Sequence, residues 1–97
     1  MKSIKLEIKI TDNGTTAWQV FLEQVDEGHL VKNWDLDGIE YSKKIDTYKT
    51  DQDPLKVMIN CVGGGASLDY EIVINGKVCK KSSFNCDDGI ITLLCPF

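Results

Sequence analysis

The sequence predicts an all-β protein: residues 1–97 as a single domain, folded as an antiparallel β-sandwich of about 7–8 strands, Ig-like or fibronectin-like or jelly-roll-like. Three observations carry this expectation. Apolar residues recur with period two along nearly the whole chain, and no segment shows a sustained 3.6-residue apolar repeat. Turn signals at Asn13-Gly14, Asn75-Gly76 and Asp88-Gly89 punctuate the alternating runs. Ninety-seven residues, 42% hydrophobic and 27% charged, suit one small core.

Strands are expected over 3–11, 15–25, 30–36, 39–48, 55–62, 68–74, 77–84 and 90–95. The first, within "MKSIKLEIKI", alternates aliphatic with charged residues. "TDNGTT" then offers a hairpin. A three-residue loop of Asp12, Asn13 and Gly14 sets Ile8 opposite Trp18, Leu6 opposite Val20 and Ile4 opposite Leu22, whereas a two-residue turn would set aliphatics against polar residues. The longer loop is the expectation, with Gly14 left-handed and Trp18 in the core. Residues 26–54 are more polar and their alternation is weakest. In 55–62, Leu55, Val57, Ile59 and Cys61 share one phase.

"EIVINGKVCK" predicts a type I′ hairpin at Asn75-Gly76, with Ile74 opposite Lys77, Ile72 opposite Cys79 and Glu71 opposite Lys80. Tyr70, Ile72 and Cys79 then face the core, and Val73 and Val78 the wetter side. In 90–95, Ile91, Leu93 and Cys95 share one phase. Gly63, Gly64 and Gly65 precede "ASLDYEIVIN", a strand pattern, so the helix N-terminus that a phosphate loop needs is missing and these glycines read as a connection between strands.

All 11 basic residues are lysine, against 15 acidic residues, for a net charge of −4. Without arginine, and with a charge that repels polyanions, the chain is not expected to bind nucleic acid. No apolar run approaches the ~18 residues of a membrane span, so membrane insertion is not expected. The N-terminus lacks the apolar stretch of a signal peptide. Cys61, Cys79, Cys86 and Cys95 contain no C-x-x-C pair and His29 is the sole histidine, which argues against zinc. Phase counting turns Cys61, Cys79 and Cys95 inward and leaves Cys86 the odd one out. Disulfides in an exported chain, or small buried hydrophobes in a reducing cell, both fit. The expectation is a secreted or cell-surface protein in its mature form, with the cytoplasm as the competing compartment.

Asp35, Asp37, Asp51 and Asp53 lie in turn-like segments and are the candidate metal ligands, for calcium, since that cation takes several oxygens from adaptable loops. Asp87 and Asp88 form a third acidic turn, and ordinary turn chemistry explains all three. No other cofactor is implied. Asn33, Trp34, Asp35, Asp37 and Tyr41 are the candidate ligand-binding residues, with aromatic faces, Tyr48 among them, to stack on sugar rings and polar groups to bond hydroxyls. Trp34 as a second core aromatic competes with that reading. "NGT" at 13–15 matches a glycosylation sequon that an Asn-Gly turn equally explains. An enzyme would need His29 in a cleft beside a thiol or carboxylate, and no catalytic residues are assigned.

"NGTTAW", "GGGA" and the terminal "PF" distantly resemble the three inhibitory loops of chagasin-type cysteine protease inhibitors, which are small Ig-like sandwiches. The match spans about a dozen residues, lacks the Pro after Asn13 and the Gly before the aromatic, and ends at the last residue. The resemblance implies a protease-inhibitor-like function. Trp18 and Trp34 both precede Cys61, unlike the Trp between bridged cysteines in immunoglobulin domains. The expected function is a non-catalytic recognition module that presents loops to a protein partner, adhesin-like. A carbohydrate-binding or calcium-binding module is the alternative, and the inhibitor a further one.

Overall fold

A computed structural model describes residues 1–14, 17–62 and 65–97, the Asp88 side chain excepted. Its central strand, β1 (Lys2–Asn13), alternates buried Ile4, Leu6, Ile8 and Ile10 with polar residues on the other face. The other strands are β2 (Ala17–Leu22), β3 (Asp35–Asp37), β4 (Glu40–Thr50), β5 (Leu55–Val62), β6 (Ser67–Ile74), β7 (Lys77–Asn85) and β8 (Ile90–Cys95). Two 3-10 turns, Glu27–His29 and Cys86–Asp88, complete the regular structure, and the described residues contain no α-helix. All pairings are antiparallel, in a five-stranded sheet ordered β3-β4-β1-β6-β7 and a three-stranded sheet ordered β2-β5-β8.

Both sheets feed one hydrophobic cluster. Ile8 and Ile10 of β1, Leu68 and Ile72 of β6, and Val57 and Ile59 of β5 all have 0% exposure within it. Burying such side chains supplies roughly 1.5–3 kcal/mol each, and strands of both sheets contribute to the cluster.

The expected hairpin between the first two strands does not form. β1 pairs with β4 on one edge and β6 on the other, and β2 pairs with β5 in the other sheet. Gly14 has φ +92°, as expected, and its N–H donates to Asp12 Oδ1 at 3.1 Å, but the turn passes the chain from one sheet to the other. Ile4, Leu6, Ile8, Val20 and Leu22 are nonetheless buried in the same cluster, with Trp18 packed against it. Periodicity reports which face a residue presents; it leaves open whether the apolar match lies beside it or across the core.

The polar middle also departs from expectation. β2 stops at Leu22 because Glu23 takes φ +72°, which a strand cannot accommodate. The expected strand 30–36 reduces to an isolated Phe21–Leu30 bridge and the three residues of β3, with Asn33 at φ +60° between them. Glu23 is held there by its carboxylate. Tyr48 Oη donates to Glu23 Oε2 and Thr50 Oγ1 donates to Glu23 Oε1 at 3.0 Å, so β4 of one sheet is fastened to the end of β2 of the other.

The β6–β7 hairpin has the expected turn, with Asn75 at φ 53°, Gly76 at φ 80° and Ile74 opposite Lys77. A bulge after the Val73–Val78 pair then moves Ile72 opposite Lys80 and Glu71 opposite Lys81, one residue from the expected register. Asn75 also extends the β1 ladder: its N–H donates to the Lys5 carbonyl and its Oδ1 accepts from the Lys5 N–H, both at 2.9 Å.

Cys61 and Cys86 form a disulfide with Cα atoms 5.0 Å apart, and both are buried. Cys86 is therefore not the odd one out. The bulge after Val78 inverts the phase along β7, so Phe84 is buried opposite Leu68 and Cys86, two residues on, is buried in the same phase; β7 ends at Asn85, whose Oδ1 accepts from the Asp87 N–H at 3.1 Å. Cys79 and Cys95 remain thiols. Burial, with the Cys79 thiol beside it, pushes Cys95 up to about 12.

Two outcomes follow. Replacing Cys61 and Cys86 together by alanine should cost about 2–4 kcal/mol, read as a lower denaturant midpoint, and reduction of the wild type should give the same loss. Burial first and the Glu23 carboxylate second raise the Tyr48 hydroxyl above its ordinary value. That stabilisation is complete below the unfolded tyrosine value of about 10 and is lost as pH rises toward the higher folded value, so Tyr48→Phe should flatten the alkaline fall in stability measured by melts at increasing pH.

Candidate functional site

Three aromatic rings meet where β4 of the larger sheet passes β2 of the smaller. Trp18 on β2 lies 5.0 Å, centroid to centroid, from both Trp34 and Tyr41, each pair edge-to-face at 76°. Such contacts add about 0.5–1.5 kcal/mol beyond burial. Trp34 sits just ahead of β3, and its Nε1–H donates to the Val31 carbonyl at 3.2 Å. All three rings are half-buried. The expectation of Trp34 as an open stacking platform gives way here to an anchor whose polar atom is already satisfied.

This anchor supports the β3–β4 hairpin. Its pairs are Asp35–Ser42, Leu36–Tyr41 and Asp37–Glu40, closed by a turn with Gly38 at φ +65°. Opposed residues share a face, so Leu36 lies on the Tyr41 side while Asp35 and Asp37 lie on the other. Trp34, ahead of β3, packs its ring on Trp18, while Asp35 and Asp37 lie on the hairpin face away from Leu36 and Tyr41. Asn33 is exposed, and the Lys43 ammonium donates to its carbonyl at 3.5 Å. Leu36 and Ile39 are each 59% exposed, at the tip and edge of a hairpin whose base is flanked by the Trp18–Trp34 and Trp18–Tyr41 contacts. Sequence reasoning missed these two residues. The available signal was "LDGI", two aliphatics flanking a Gly turn in a hairpin too short to bury them.

The four aspartates proposed for calcium are divided. Asp35 and Asp37 lie at one end of β4, and Asp51 and Asp53 lie beyond its other end, separated by an eleven-residue strand, or about 35 Å at the usual rise. Asp51 lies 3.3 Å from the Met1 amino group and Asp53 lies 3.4 Å from the Lys2 ammonium. Among the described residues, no group of three or more His, Cys, Asp or Glu side chains is placed to hold a metal ion. The Asp88 side chain lies outside the described residues.

His29 does meet a carboxylate, with Nδ1 2.6 Å from Asp26 Oδ1, and the imidazole holds the Asp26 carboxyl below its ordinary value. The same oxygen accepts the His29 N–H at 3.0 Å, which is the cap of the 3-10 turn. The dyad borders a shallow groove of about 310 Å³ whose lining also holds Lys43 and Tyr48 but no cysteine or serine. Burial first, and the Glu23 carboxylate second, raise the Tyr48 hydroxyl above its ordinary value. A larger groove of about 550 Å³ lies on the outer face of the five-stranded sheet, where Glu71 pairs with Lys9 at 3.5 Å and Lys81 at 3.6 Å.

Of the fragments resembling inhibitor loops, the Asn13 turn and the segment after Gly65 lie at the same end, through the Asn13–Ser67 pair. Thr15, Thr16, Gly63 and Gly64 fall outside the described residues, and with them the sequon's Thr15 and two of the three connecting glycines. Phe97 lies elsewhere, its N–H donating to Asp53 Oδ1 at 3.2 Å and its ring 5.5 Å from the Lys2 ammonium. No helix of the described residues is long and apolar enough to cross a membrane. Compared with family models, curated proteins and solved structures, the chain matches none.

An anchor and a platform differ in energy. Trp34→Ala should cost about 1–3 kcal/mol in a urea titration, because it opens the aromatic contact; a change within about 0.5 kcal/mol, usual for surface sites, would contradict the anchoring role.

Proposed function

We propose that the chain is a non-catalytic recognition module, a β-sandwich of Ig-like or jelly-roll type that binds a protein partner through the β3–β4 hairpin. The observation that carries this is Leu36 and Ile39, each 59% exposed on a short hairpin whose base is locked by the Trp18–Trp34–Tyr41 contact. Rigid presentation lowers the entropy lost on binding, and exposed aliphatics on a fixed turn fill a partner's pocket. Asp35, Asp37 and Glu40 on the opposite face of the hairpin give the contact an acidic rim, complementary to basic residues around that pocket. The Cys61–Cys86 disulfide supports a secreted or cell-surface setting.

The carbohydrate alternative keeps less support, since the Trp34 ring packs on Trp18 and its N–H is spent on Val31. The inhibitor alternative rests on two loops at one end, without Phe97.

The test uses wild type and the Leu36→Ser/Ile39→Ser pair, immobilised side by side and offered the same cell-surface extract, a papain-type protease and a glycan panel. Both residues are exposed, so melting should be unchanged. A protein retained by wild type should fall at least about tenfold with the pair, in line with two lost apolar contacts. Equal retention by both forms, or retention of glycans alone, would reject the hairpin reading.

A further inference from the structure

A sheet edge exposes a row of unpaired backbone groups, and soluble proteins guard such edges with charge, bulges, brevity or cover. Three of the four edges here are guarded. β7 carries Lys77, Lys80 and Lys81 and the bulge opposite Ile72 and Val73. β3 is three residues long with two aspartates. The later part of β2 is covered by residues 30 and 31, through the Phe21–Leu30 bridge and the Val31 N–H to Val20 carbonyl bond of 2.8 Å.

β8 has none of these devices. Its six residues, "IITLLC", include no charge and no proline, and they pair with β5 from Leu55–Cys95 to Asn60–Ile90 without a register shift. Among the described residues, no backbone hydrogen bond outside the β5 ladder reaches 90–95. The outward side chains are Ile90, 48% exposed, Thr92, and Leu94, 47% exposed.

We infer that β8 is the pairing edge for a second copy of this chain, joined antiparallel about a two-fold axis through Thr92. The strand is self-complementary in that register. A two-fold perpendicular to the sheet keeps each face continuous, so opposed positions must share parity. Centring on Thr92 sets Ile90 of one copy against Leu94 of the other, Ile91 against Leu93, and Thr92 against Thr92. Each half-exposed aliphatic on the outer face gains an aliphatic neighbour. Centring on Leu93 instead would set Pro96, which has no N–H, against Ile90. Two copies that each carry −4 meet along an edge without charge, so no like charges are opposed there. The product is a continuous six-stranded sheet, β2-β5-β8 followed by β8-β5-β2 of the other copy. The β3–β4 hairpin, at the far edge of the other sheet, stays free.

Sedimentation equilibrium from micromolar to millimolar concentration provides the test, with the disulfide intact. Wild type should pass from the 10.9 kDa monomer to twice that mass. Thr92→Lys and Thr92→Glu, each placing like charges at the axis, should weaken self-association at least about tenfold with unchanged melting. Mixing the two variants should restore a heterodimer, a result that misfolding cannot produce. The Leu36→Ser/Ile39→Ser pair should dimerise as wild type does, so the hairpin reading and this one fail separately. A wild type that stays at 10.9 kDa throughout, a Thr92→Lys form that associates as tightly as wild type, or β8 binding only unrelated extended peptides would overturn the proposal.

Discussion

The molecule depends on β1 being closed on both backbone edges and on its apolar face at once. Flanked by β4 and β6, its buried amides and carbonyls have ladder partners, which removes the penalty of about 1–3 kcal/mol that each unpaired buried group would carry. Ile4, Leu6, Ile8 and Ile10 can then all point one way, toward β5 and its neighbours. Among the described residues the two sheets share no ladder. What joins them is apolar burial, the Glu23 carboxylate reaching Tyr48 and Thr50, and the Cys61–Cys86 bond.

Strand facing was legible along the clearly alternating segments, and strand neighbours only where a two-residue turn fixes them, as at Asn75-Gly76. The limits of β5 and β8 agree with the alternation of "LKVMINCV" and "IITLLC". Face assignments for Ile4 through Ile10 also agree, because period two is a local property. Lateral partners are otherwise a global property: β1 could meet β2 beside it or within a shared cluster with the same aliphatic face, and only the competition of β4 and β6 for its edges decides. The polar middle failed for a different reason. Glu23 adopts positive φ with its carboxylate bonded to two distant donors, Tyr48 and Thr50, a conformation that a glutamate does not announce; Asn33 does so on a loop path, as asparagine more readily can.

The candidate site was half legible. Trp34 and Tyr41 do belong to one aromatic contact, and Trp18, which periodicity assigned to the core, joins them. The aspartates between them were grouped by proximity in sequence, and a strand separates such neighbours onto opposite faces. The cysteine pairing turned on the β7 bulge, since one extra residue near Cys79 brings Phe84, and Cys86 in the same phase, into the interior.

The covalent tie sits at one end only. Cys61 closes the end where β5 leaves for β6, while the far end is held by the Glu23 carboxylate's bonds from Tyr48 and Thr50 and by exposed ion pairs, Met1 to Asp51 and Lys2 to Asp53, of the kind worth about 0–1 kcal/mol. One margin of the fold is thus closed by a bond that only a reductant opens, and the other by polar contacts that pH and salt can loosen.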